Sequence, residues 1–356
     1  MARDLHTLPK AHLHLHFTGS MAPSTLTSLA QQQGMSLPYA LREATAPDAM
    51  LRLPADQRGW FRFQRMYDSA RAVVRSESVM RRLVHEAAAM DAAEGSGRLE
   101  LQVDPTSYAP FVGGLTAALE IICDAAREAT AATGVEVAII VATSRTKHPL
   151  DARTLARLAV RHAGEGPGGV VGFGLSNDER RGDTADFGPA FQIAARGGLM
   201  LVPHGGELRG PEHVRAVVAH LHPDRLGHGV RASEDPRLLE HLVDDGIAFE
   251  VCPASNVSLG VYEDAPTVPL RTLMGAGAQI ALGADDPLLF GSRLLDQYRI
   301  AREVHGCTDT ELAELAASSI RASRAGAATK ERLLKGVQDW LASPAQVPAE
   351  QVRASG

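Results

Sequence analysis

Short apolar runs alternate with longer helical segments along most of the chain, and this alternation carries the prediction of the fold. From residue 98 onward, apolar runs of strand length are separated by segments of about ten to fifteen residues with helical periodicity. Such an alternation is typical of repeated βα units and a parallel sheet. The eight predicted strands lie at 12–17, 98–103, 136–143, 169–175, 199–203, 226–230, 248–252 and 279–283.

Eight strands joined by helical crossovers predict an α/β fold of the TIM type, a closed (β/α)8 barrel. A doubly wound open sheet is the alternative, but no Gly-x-Gly-x-x-Gly turn follows the first strand. Predicted crossover helices lie at 114–133, 152–163, 186–196, 212–220 and 236–245, and two further helical segments at 294–304 and 309–341.

Residues 22–97 show helical patterns and no strong strand pattern, which predicts a helical insertion after the first strand. Within it, 59–67 concentrates aromatic residues, a feature typical either of a core-facing helix or of a lid over a pocket. We predict one domain over 1–342. The tail 343–356 is rich in Pro, Ala and polar residues and is predicted to be disordered.

The overall composition indicates a soluble enzyme-like chain. Hydrophobic residues make up 45% and charged residues 22%, as in ordinary α/β proteins, and the formal net charge of -6 disfavours a nucleic-acid-binding surface. No apolar run reaches the roughly 18 residues of a membrane span, and the N-terminus has no apolar core of the secretory kind. We therefore predict a cytoplasmic protein without a membrane partner, and three scattered cysteines that behave as buried small hydrophobes.

The first predicted strand carries the most distinctive chemistry. Histidines alternate with apolar residues at His12, His14 and His16, and side chains two apart on a strand point to the same face. Imidazole is the commonest nitrogen ligand for transition metals, so His14 and His16, near the strand's C-terminal end, are predicted metal ligands. The alternative is a half-buried strand with hydrogen-bonded histidines. We interpret His12, further from the end, as an interior structural residue.

Further clusters follow three other strands, and in a barrel these strand ends meet around one mouth. The clusters are His-Gly-Gly-Glu at 204–207, Arg-Leu-Gly-His-Gly at 225–229 and Gly-Ala-Asp-Asp-Pro at 283–287. Taken singly, each could be an ordinary turn. Together they predict a metal set of His14, His16, His204 and Asp285, with a water completing the sphere. Three imidazoles and a carboxylate suit Zn²⁺, one per chain, although other divalent ions remain possible.

The remaining residues of these clusters complete a hydrolytic site. A zinc-bound water has its pKa lowered from about 15.7 towards 7 and becomes available as hydroxide. Glu207 is placed to move protons to and from a substrate ring nitrogen, while His228 and Asp286 orient the hydroxide and bind the ring. Gly206 lets the backbone approach a ligand closely. These parts predict hydrolysis at an electrophilic carbon.

Five motifs in this order resemble the adenosine deaminase family within the amidohydrolase-like metal-dependent barrels. They are His-x-His, His-Gly-Gly-Glu, Arg-Leu-Gly-His-Gly, Cys-Pro-Ala-Ser-Asn and Ala-Asp-Asp-Pro-Leu-Leu-Phe-Gly-Ser, and the likeness spans residues 8 to about 340. The resemblance implies one zinc held by His14, His16, His204 and Asp285. It also implies Glu207 as proton donor to the purine N1, His228 positioning the hydroxide and Asp286 contacting N7. The implied reaction replaces the 6-amino group with oxygen and releases ammonia.

Two departures from the family pattern bear on the substrate. Thr18 stands where adenosine-specific members usually carry an aspartate that contacts the ribose 5′-hydroxyl, which predicts tolerance of 5′-modified substrates. Asn177 stands where a glycine often presents its N–H to the purine N3, and asparagine tolerates unusual backbone angles. The residues expected to contact substrate are His16, Thr18, Asn177, Gly206 and Asp286.

We predict adenosine, or a close 6-aminopurine nucleoside, as the small-molecule substrate. The 290–292 segment, Phe-Gly-Ser, differs from the adenine-deaminase version and favours a nucleoside. Aminodeoxyfutalosine and 5′-modified adenosines are the first alternatives, and adenine is a further, less favoured one. A catalytically lapsed nucleoside-binding barrel is the non-enzyme alternative, but such a protein would be expected to lose a ligand or Glu207. Oligomeric state stays open.

Overall fold

The structure is a computed structural model that describes residues 2–46 and 49–344. Its centre is a sheet of eight parallel strands in which each strand pairs with the next along the chain. The predicted (β/α)8 barrel is therefore confirmed. The strands are β1 (Lys10–His16), β2 (Ser96–Val103), β3 (Glu136–Ser144), β4 (Val170–Ser176), β5 (Met200–Gly205), β6 (Arg225–His228), β7 (Ala248–Val251) and β8 (Ile280–Leu282).

Helices surround the sheet, and four of them form the predicted insertion between β1 and β2. The helices of the insertion are α1 (Pro23–Gln32), α2 (Tyr39–Ala44), α3 (Gln57–Arg71) and α4 (Glu77–Ala93). Those between the later strands are α5 (Ala109–Val112), α6 (Leu115–Thr133), α7 (Pro149–Arg161), α8 (Gly188–Arg196), α9 (Pro211–Leu221), α10 (Pro236–Asp244), α11 (Pro253–Ser258) and α12 (Leu270–Gly275). The C-terminal helices are α13 (Pro287–Phe290), α14 (Leu294–Glu303), α15 (Asp309–Ala322) and α16 (Ala327–Ala342).

The C-terminal helical segment differs in one respect from the prediction. The single helix predicted over 309–341 is two helices, because the chain leaves helical geometry between Ala322 and Ala327. Ser323 has extended backbone angles there, and its hydroxyl donates to the carbonyl of Ile320. Serine competes for backbone hydrogen bonds in this way and so favours helix ends.

The barrel closes through the segment that follows β8. The His16 N–H donates to the Asp285 carbonyl at 3.0 Å, and the Asp285 N–H donates to the His14 carbonyl at 3.0 Å. These two bonds continue the strand ladder from β8 to β1. They fix the backbone of Asp285 directly beside the two histidines of the first strand.

The barrel interior holds a chain of ion pairs, which we call the ionic floor. It consists of Arg98, Glu100, Arg225 and Glu250, all fully or almost fully buried. Arg225 lies 2.7 Å from a carboxylate oxygen of Glu100 and 2.7 Å from one of Glu250. Buried charges of this kind are tolerated only when they are paired and hydrogen-bonded. The floor thus holds the Glu250 side chain in a fixed position towards the strands around it.

Lys10, at the start of β1, is a second buried charge. Its ammonium donates to the carbonyls of Leu5 at 2.9 Å and Glu94 at 2.6 Å, and it lies over the Tyr298 ring. Burial lowers the pKa of Lys10 to about 7, even though neighbouring carboxylates, Glu94 first, act to raise it. In the unfolded chain this pKa is about 10.4, so between these pH values the unfolded chain binds the additional proton.

We expect the parent protein to gain stability relative to Lys10→Met as pH rises from about 7 towards 9. The reason is that folding no longer requires burial of a charge once Lys10 is neutral, and the gain should be about 2 to 3 kcal/mol. Chemical unfolding of both proteins at pH 7 and pH 9 measures it. Equal pH dependence in the two proteins would show that Lys10 keeps its proton in the fold.

Three smaller expectations also meet the structure. Cys123, Cys252 and Cys307 are buried and unpaired, as predicted. Across the described ranges, none of the helices is both long and apolar enough to span a bilayer. The tail predicted to be disordered lies outside the described residues from 345 onward, and the single-domain division at 342 stays a prediction.

Candidate active site

The four predicted metal ligands meet at the mouth of the barrel. His14 and His16 come from β1, His204 from β5, and Asp285 follows β8. The His14 and His204 rings are 4.8 Å apart between centroids, and the His16 and His204 rings 5.2 Å. An Asp285 carboxylate oxygen lies 3.2 Å from His16 Nε2 and 3.6 Å from His14 Nε2. One small volume is thus bounded by three imidazoles and a carboxylate.

The donor atoms in this cluster fit a bound cation. The Nε2 atoms of His14 and His204 are buried and have no hydrogen-bond partner among the described residues. Burial, followed by the neighbouring histidines, lowers the pKa of His204 well below its usual range, so the ring is neutral and can coordinate. Buried polar atoms left without a partner are costly, and a metal ion would satisfy them. Zinc binds donors of these types.

Glu250 of the ionic floor orients one of these ligands. The His14 Nδ1–H donates to a Glu250 carboxylate oxygen at 2.7 Å, and the other Glu250 oxygen pairs with Arg225. A donor role for Nδ1 leaves the Nε2 lone pair facing the cluster. His12 is fully buried, and it contacts Asp91 and accepts from the Ala284 N–H, which agrees with its interpretation as an interior structural residue.

Three non-glycine residues of the site have left-handed backbone angles. The φ values are 80° at Asn177, 65° at His228 and 61° at Asp285, and only one other non-glycine residue of the described ranges has a positive φ. Such conformations cost free energy and persist where the surrounding structure holds them. The expectation that Asn177 tolerates unusual backbone angles is confirmed. Its contact with a purine N3 stays a prediction.

Glu207 lies deep in the pocket, next to His228. Its carboxyl oxygen is 3.5 Å from His228 Nε2. Burial raises the pKa of Glu207 well above its usual range, and the Asp285 and Glu179 carboxylates raise it further. A carboxyl group in this environment holds a proton at neutral pH and can donate it. Gly206 makes the turn possible, because its φ is 80° and a Cβ there would lie 2.7 Å from Val214.

Glu179 holds this turn in place, a role that the sequence did not indicate. Its carboxylate accepts from the backbone N–H groups of Glu207 at 3.1 Å, Leu208 at 2.9 Å and Arg209 at 2.8 Å. Burial alone would raise the pKa of Glu179, but His213 and other donors lower it to about 2. An ionised carboxylate with three backbone donors is a strong anchor for the Glu207 backbone.

We expect Glu179→Gln to lower kcat at least about tenfold while KM for substrate changes less, because Gln offers one neutral acceptor where three donors converge. Metal content should match the parent, since Glu179 touches no candidate ligand side chain. Glu212→Gln, on the exposed start of α9, is the matched control. Steady-state kinetics with metal analysis measure the effect. A kcat of Glu179→Gln equal to that of the parent would contradict the positioning role of Glu179.

A pocket opens above the metal cluster, and we call it the inner pocket. Its wall includes His16, Asn177, Glu207, His228, Asp285 and Asp286 among the predicted site residues. Helix α3 contributes Trp60, Phe63, Gln64, Tyr67 and Arg71. Phe63 is buried in the core as well, so the aromatic stretch serves both the core and the pocket. Its action as a lid stays a prediction.

Thr18 lies beside the inner pocket rather than in its wall. It is fully buried, and its hydroxyl lies 2.6 Å from the hydroxyl of Tyr108, which does line the pocket. Gly206 is likewise not part of the wall. The contacts of Thr18 and Gly206 with a substrate stay predictions.

Gln102, at the end of β2, is a pocket residue that sequence reasoning missed. It lines the inner pocket, and its side-chain oxygen is buried without a partner among the described residues. Asp286 also presents an unpartnered buried oxygen there. An amide in a polar strand end gives no distinctive sequence signal, whereas adjacent aspartates do. The Gln102 oxygen is an acceptor available to an N–H group of a ligand, whereas Asp286, whose pKa burial raises well above its usual range, can donate to a ligand in its protonated form.

Comparison with known proteins adds family evidence to this geometry. A family model described as adenosine deaminase matches residues 9–340. A Streptomyces virginiae protein, provisionally named an adenosine/adenine deaminase, is 61% identical over 340 residues, which cover 96% of this chain and 98% of that protein. An adenine deaminase of Rhizobium leguminosarum bv. trifolii is 32% identical over 329 residues, covering 92% and 98%.

The fold is also shared with a solved structure. The adenine deaminase of Arthrobacter aurescens superposes with a TM-score of 0.84 at 28% identity, covering 94% of this chain and 99% of that one. The shared architecture extends over nearly the full length of both chains.

Proposed function

The chain belongs to the adenosine deaminase family, and we propose that it hydrolyses the 6-amino group of adenosine or a closely related aminopurine nucleoside. The products are the 6-oxopurine nucleoside and ammonia. One observation carries the proposal: a buried carboxyl of raised pKa, Glu207, lines the same pocket as His16, His204 and Asp285, and His14 lies within ligand distance of these two histidines. A proton donor beside a candidate metal site is the arrangement that hydrolysis of an aromatic amine requires.

His14, His16, His204 and Asp285 are the residues that would hold the metal. A zinc ion bound there would lower the pKa of a water from about 15.7 towards 7 and supply a nucleophile at neutral pH. The remaining steps belong to residues of this chain. Glu207 donates its proton to ring nitrogen N1, which makes C6 more electrophilic.

His228 and Asp286 position the reactants. Burial, followed by the charge of His14, lowers the pKa of His228 to about 4, so the neutral ring can accept a hydrogen bond from the attacking water. The water oxygen bonds to C6, and the C6–N6 bond then breaks. One proton of the water leaves on ammonia and the other returns to Glu207. Burial, followed by the Asp285 carboxylate, raises the pKa of Asp286 well above its usual range, and in its protonated form this carboxyl donates a hydrogen bond to N7 on the imidazole side of the purine.

The lining of the inner pocket supports a nucleoside over a free base. Its wall includes side chains of α3 and of the segment after β2 in addition to the residues around the metal cluster. Adenine is the second candidate, because a relative at 32% identity and a structural neighbour at 28% are named adenine deaminases. A binding protein without turnover is disfavoured, since every residue of the proposed machinery is present.

Ammonia release from a panel of aminopurines tests the proposal. The panel contains adenine, adenosine, 2′-deoxyadenosine and 5′-deoxyadenosine, assayed with zinc-loaded protein and with Glu207→Gln as the negative control. We expect nucleosides to be deaminated with higher kcat/KM than adenine. Turnover of adenine alone would assign the base as substrate. If no member of the panel were turned over but binding were retained, the protein would be a nucleoside-binding barrel without catalytic activity.

A further inference from the structure

A second cavity opens from the inner pocket towards the protein surface, and we call it the outer cavity. It lies between α3 and the loops that follow β2, β3 and β4. Trp60, Gln64, Arg71 and Asn177 line both spaces, so the two are continuous. The Asn177 side-chain amide donates to Gln64 at 3.2 Å where they meet. A substituent on a purine in the inner pocket can extend into the outer cavity along this wall.

The wall of the outer cavity is cationic. Five basic side chains line it: Arg58, Arg62, Arg71, Lys147 and Arg181. The three lining carboxylates are Asp68, Asp104 and Asp178. This excess of positive charge stands against a formal net charge of -6 for the whole chain. The local potential is therefore opposite in sign to that of the average surface, and it favours an anion.

The carboxylates of this wall are already paired. Asp104 accepts from Lys147 at 2.7 Å, and Asp68 accepts from Arg71 at 2.5 Å. Asp178 pairs at 2.7 Å with Arg180, which lies outside the cavity wall. These pairs leave no lining carboxylate to neutralise the remaining arginines.

Three guanidinium groups have no carboxylate partner. Within residues 2–46 and 49–344, no carboxylate oxygen lies within 4.0 Å of the side-chain nitrogens of Arg58, Arg62 or Arg181. Arg58 and Arg62 lie one turn apart on α3, and Arg181 follows β4 across the cavity. Guanidinium groups bind phosphate and carboxylate oxygens in a bidentate manner, which fixes both the charge and the orientation of a ligand.

We propose that the outer cavity binds an anionic group on the sugar of the substrate. This inference rests on the proposed function and deepens it: the substrate class is an aminopurine nucleoside that carries a phosphate or a carboxylate. The position that Thr18 was expected to read is thus read by arginines of α3 and of the loop after β4. Both anions fit the same donors, and the experiment distinguishes them.

The test compares matched charged and neutral substrates on zinc-loaded protein. Adenosine 5′-monophosphate is compared with adenosine, and adenosine 5′-carboxylic acid with its neutral 5′-carboxamide. We expect the charged member of at least one pair to have a kcat/KM higher by about tenfold or more, and the advantage to shrink as salt is raised. Whichever pair shows the larger ratio identifies phosphate or carboxylate as the preferred anion.

Variants locate the effect. Arg58→Gln, Arg62→Gln and Arg181→Gln should each lower the charged-to-neutral ratio about threefold or more, and the triple variant should remove the advantage. Arg157→Gln, at an exposed position of α7 away from both cavities, is the matched control and should keep the parental ratio. Adenosine turnover with no charged-over-neutral advantage, or an advantage that survives the triple variant, would overturn the inference.

Failure of the proposed function gives a different result. If no aminopurine is deaminated, calorimetric titration with inosine 5′-monophosphate and inosine still tests the cavity. Tighter binding of the phosphorylated compound, lost in the triple variant, would support an anion site without the deaminase activity. Equal binding of the two compounds would overturn the anion site.

Discussion

Removing the metal from the purified protein should abolish deamination, and added zinc should restore it. At mildly acidic pH, protons compete for the imidazole nitrogens of His14, His16 and His204, so prolonged chelation should strip the ion. The stripped protein should also unfold at a lower temperature, because the Nε2 atoms of His14 and His204 would return to a buried state without partners. Metal analysis, ammonia release and thermal unfolding of the same preparations measure these effects.

The choice of restoring ion provides the control. Magnesium prefers an octahedron of oxygen ligands and should not restore activity to a site made largely of imidazoles. Full activity in a preparation shown to be free of transition metals would contradict the metal assignment. Recovery with other imidazole-binding divalent ions would be compatible with it.

Replacing Glu207 by Gln should lower turnover by about a hundredfold or more, since the amide keeps the size and hydrogen bonding of the carboxyl but has no transferable proton. Zinc content and the melting temperature should stay near the parental values. In the parent, the activity that depends on protonated Glu207 is present below its raised pKa and is lost as pH rises through that value. The variant should lack this alkaline loss.

The exposed Glu240→Gln on α10 is a matched control, since its carboxyl has no contact with the site. Near-parental turnover of Glu207→Gln would move the proton-donor role to another group. A simultaneous loss of zinc would instead indicate that Glu207 supports the metal cluster. The two outcomes are separated by measuring metal content and turnover on the same sample.

Local sequence signals were sufficient to predict the barrel and to identify the candidate metal ligands that the structure brings together. The strands can be recognised in the sequence as apolar runs. His14, His204 and Asp285 lie at or near strand ends, where barrel topology brings distant residues together. The backbone hydrogen bonds between β1 and Asp285 then hold together residues that the sequence pattern predicted to lie close to one another. The boundary between the terminal helices α15 and α16 was harder to predict, because it depends on only two residues, a serine and a glycine.

What the sequence could not reveal are contacts made across long separations. Glu179 holds the Glu207 turn from the loop after β4, and the Thr18 hydroxyl contacts Tyr108, ninety positions away. Neither contact has a local signature, because each depends on rotamers set by the packed structure. In the sequence, the arginines of α3 likewise cannot be distinguished from those of an ordinary solvent-exposed helix face, because the cavity that they line is formed by distant loops.

The ionic floor sets limits on how this protein can evolve. Losing one member of a buried ion pair leaves an uncompensated charge and costs about 3 to 5 kcal/mol, a large part of the 5 to 15 kcal/mol that stabilises a typical domain. Changes to Arg98, Glu100, Arg225 or Glu250 would therefore have to arise together. New substrate preferences should instead be acquired at α3 and the outer cavity, where a single substitution costs little stability. Laboratory selection for altered specificity would do best to diversify that rim and leave the floor untouched.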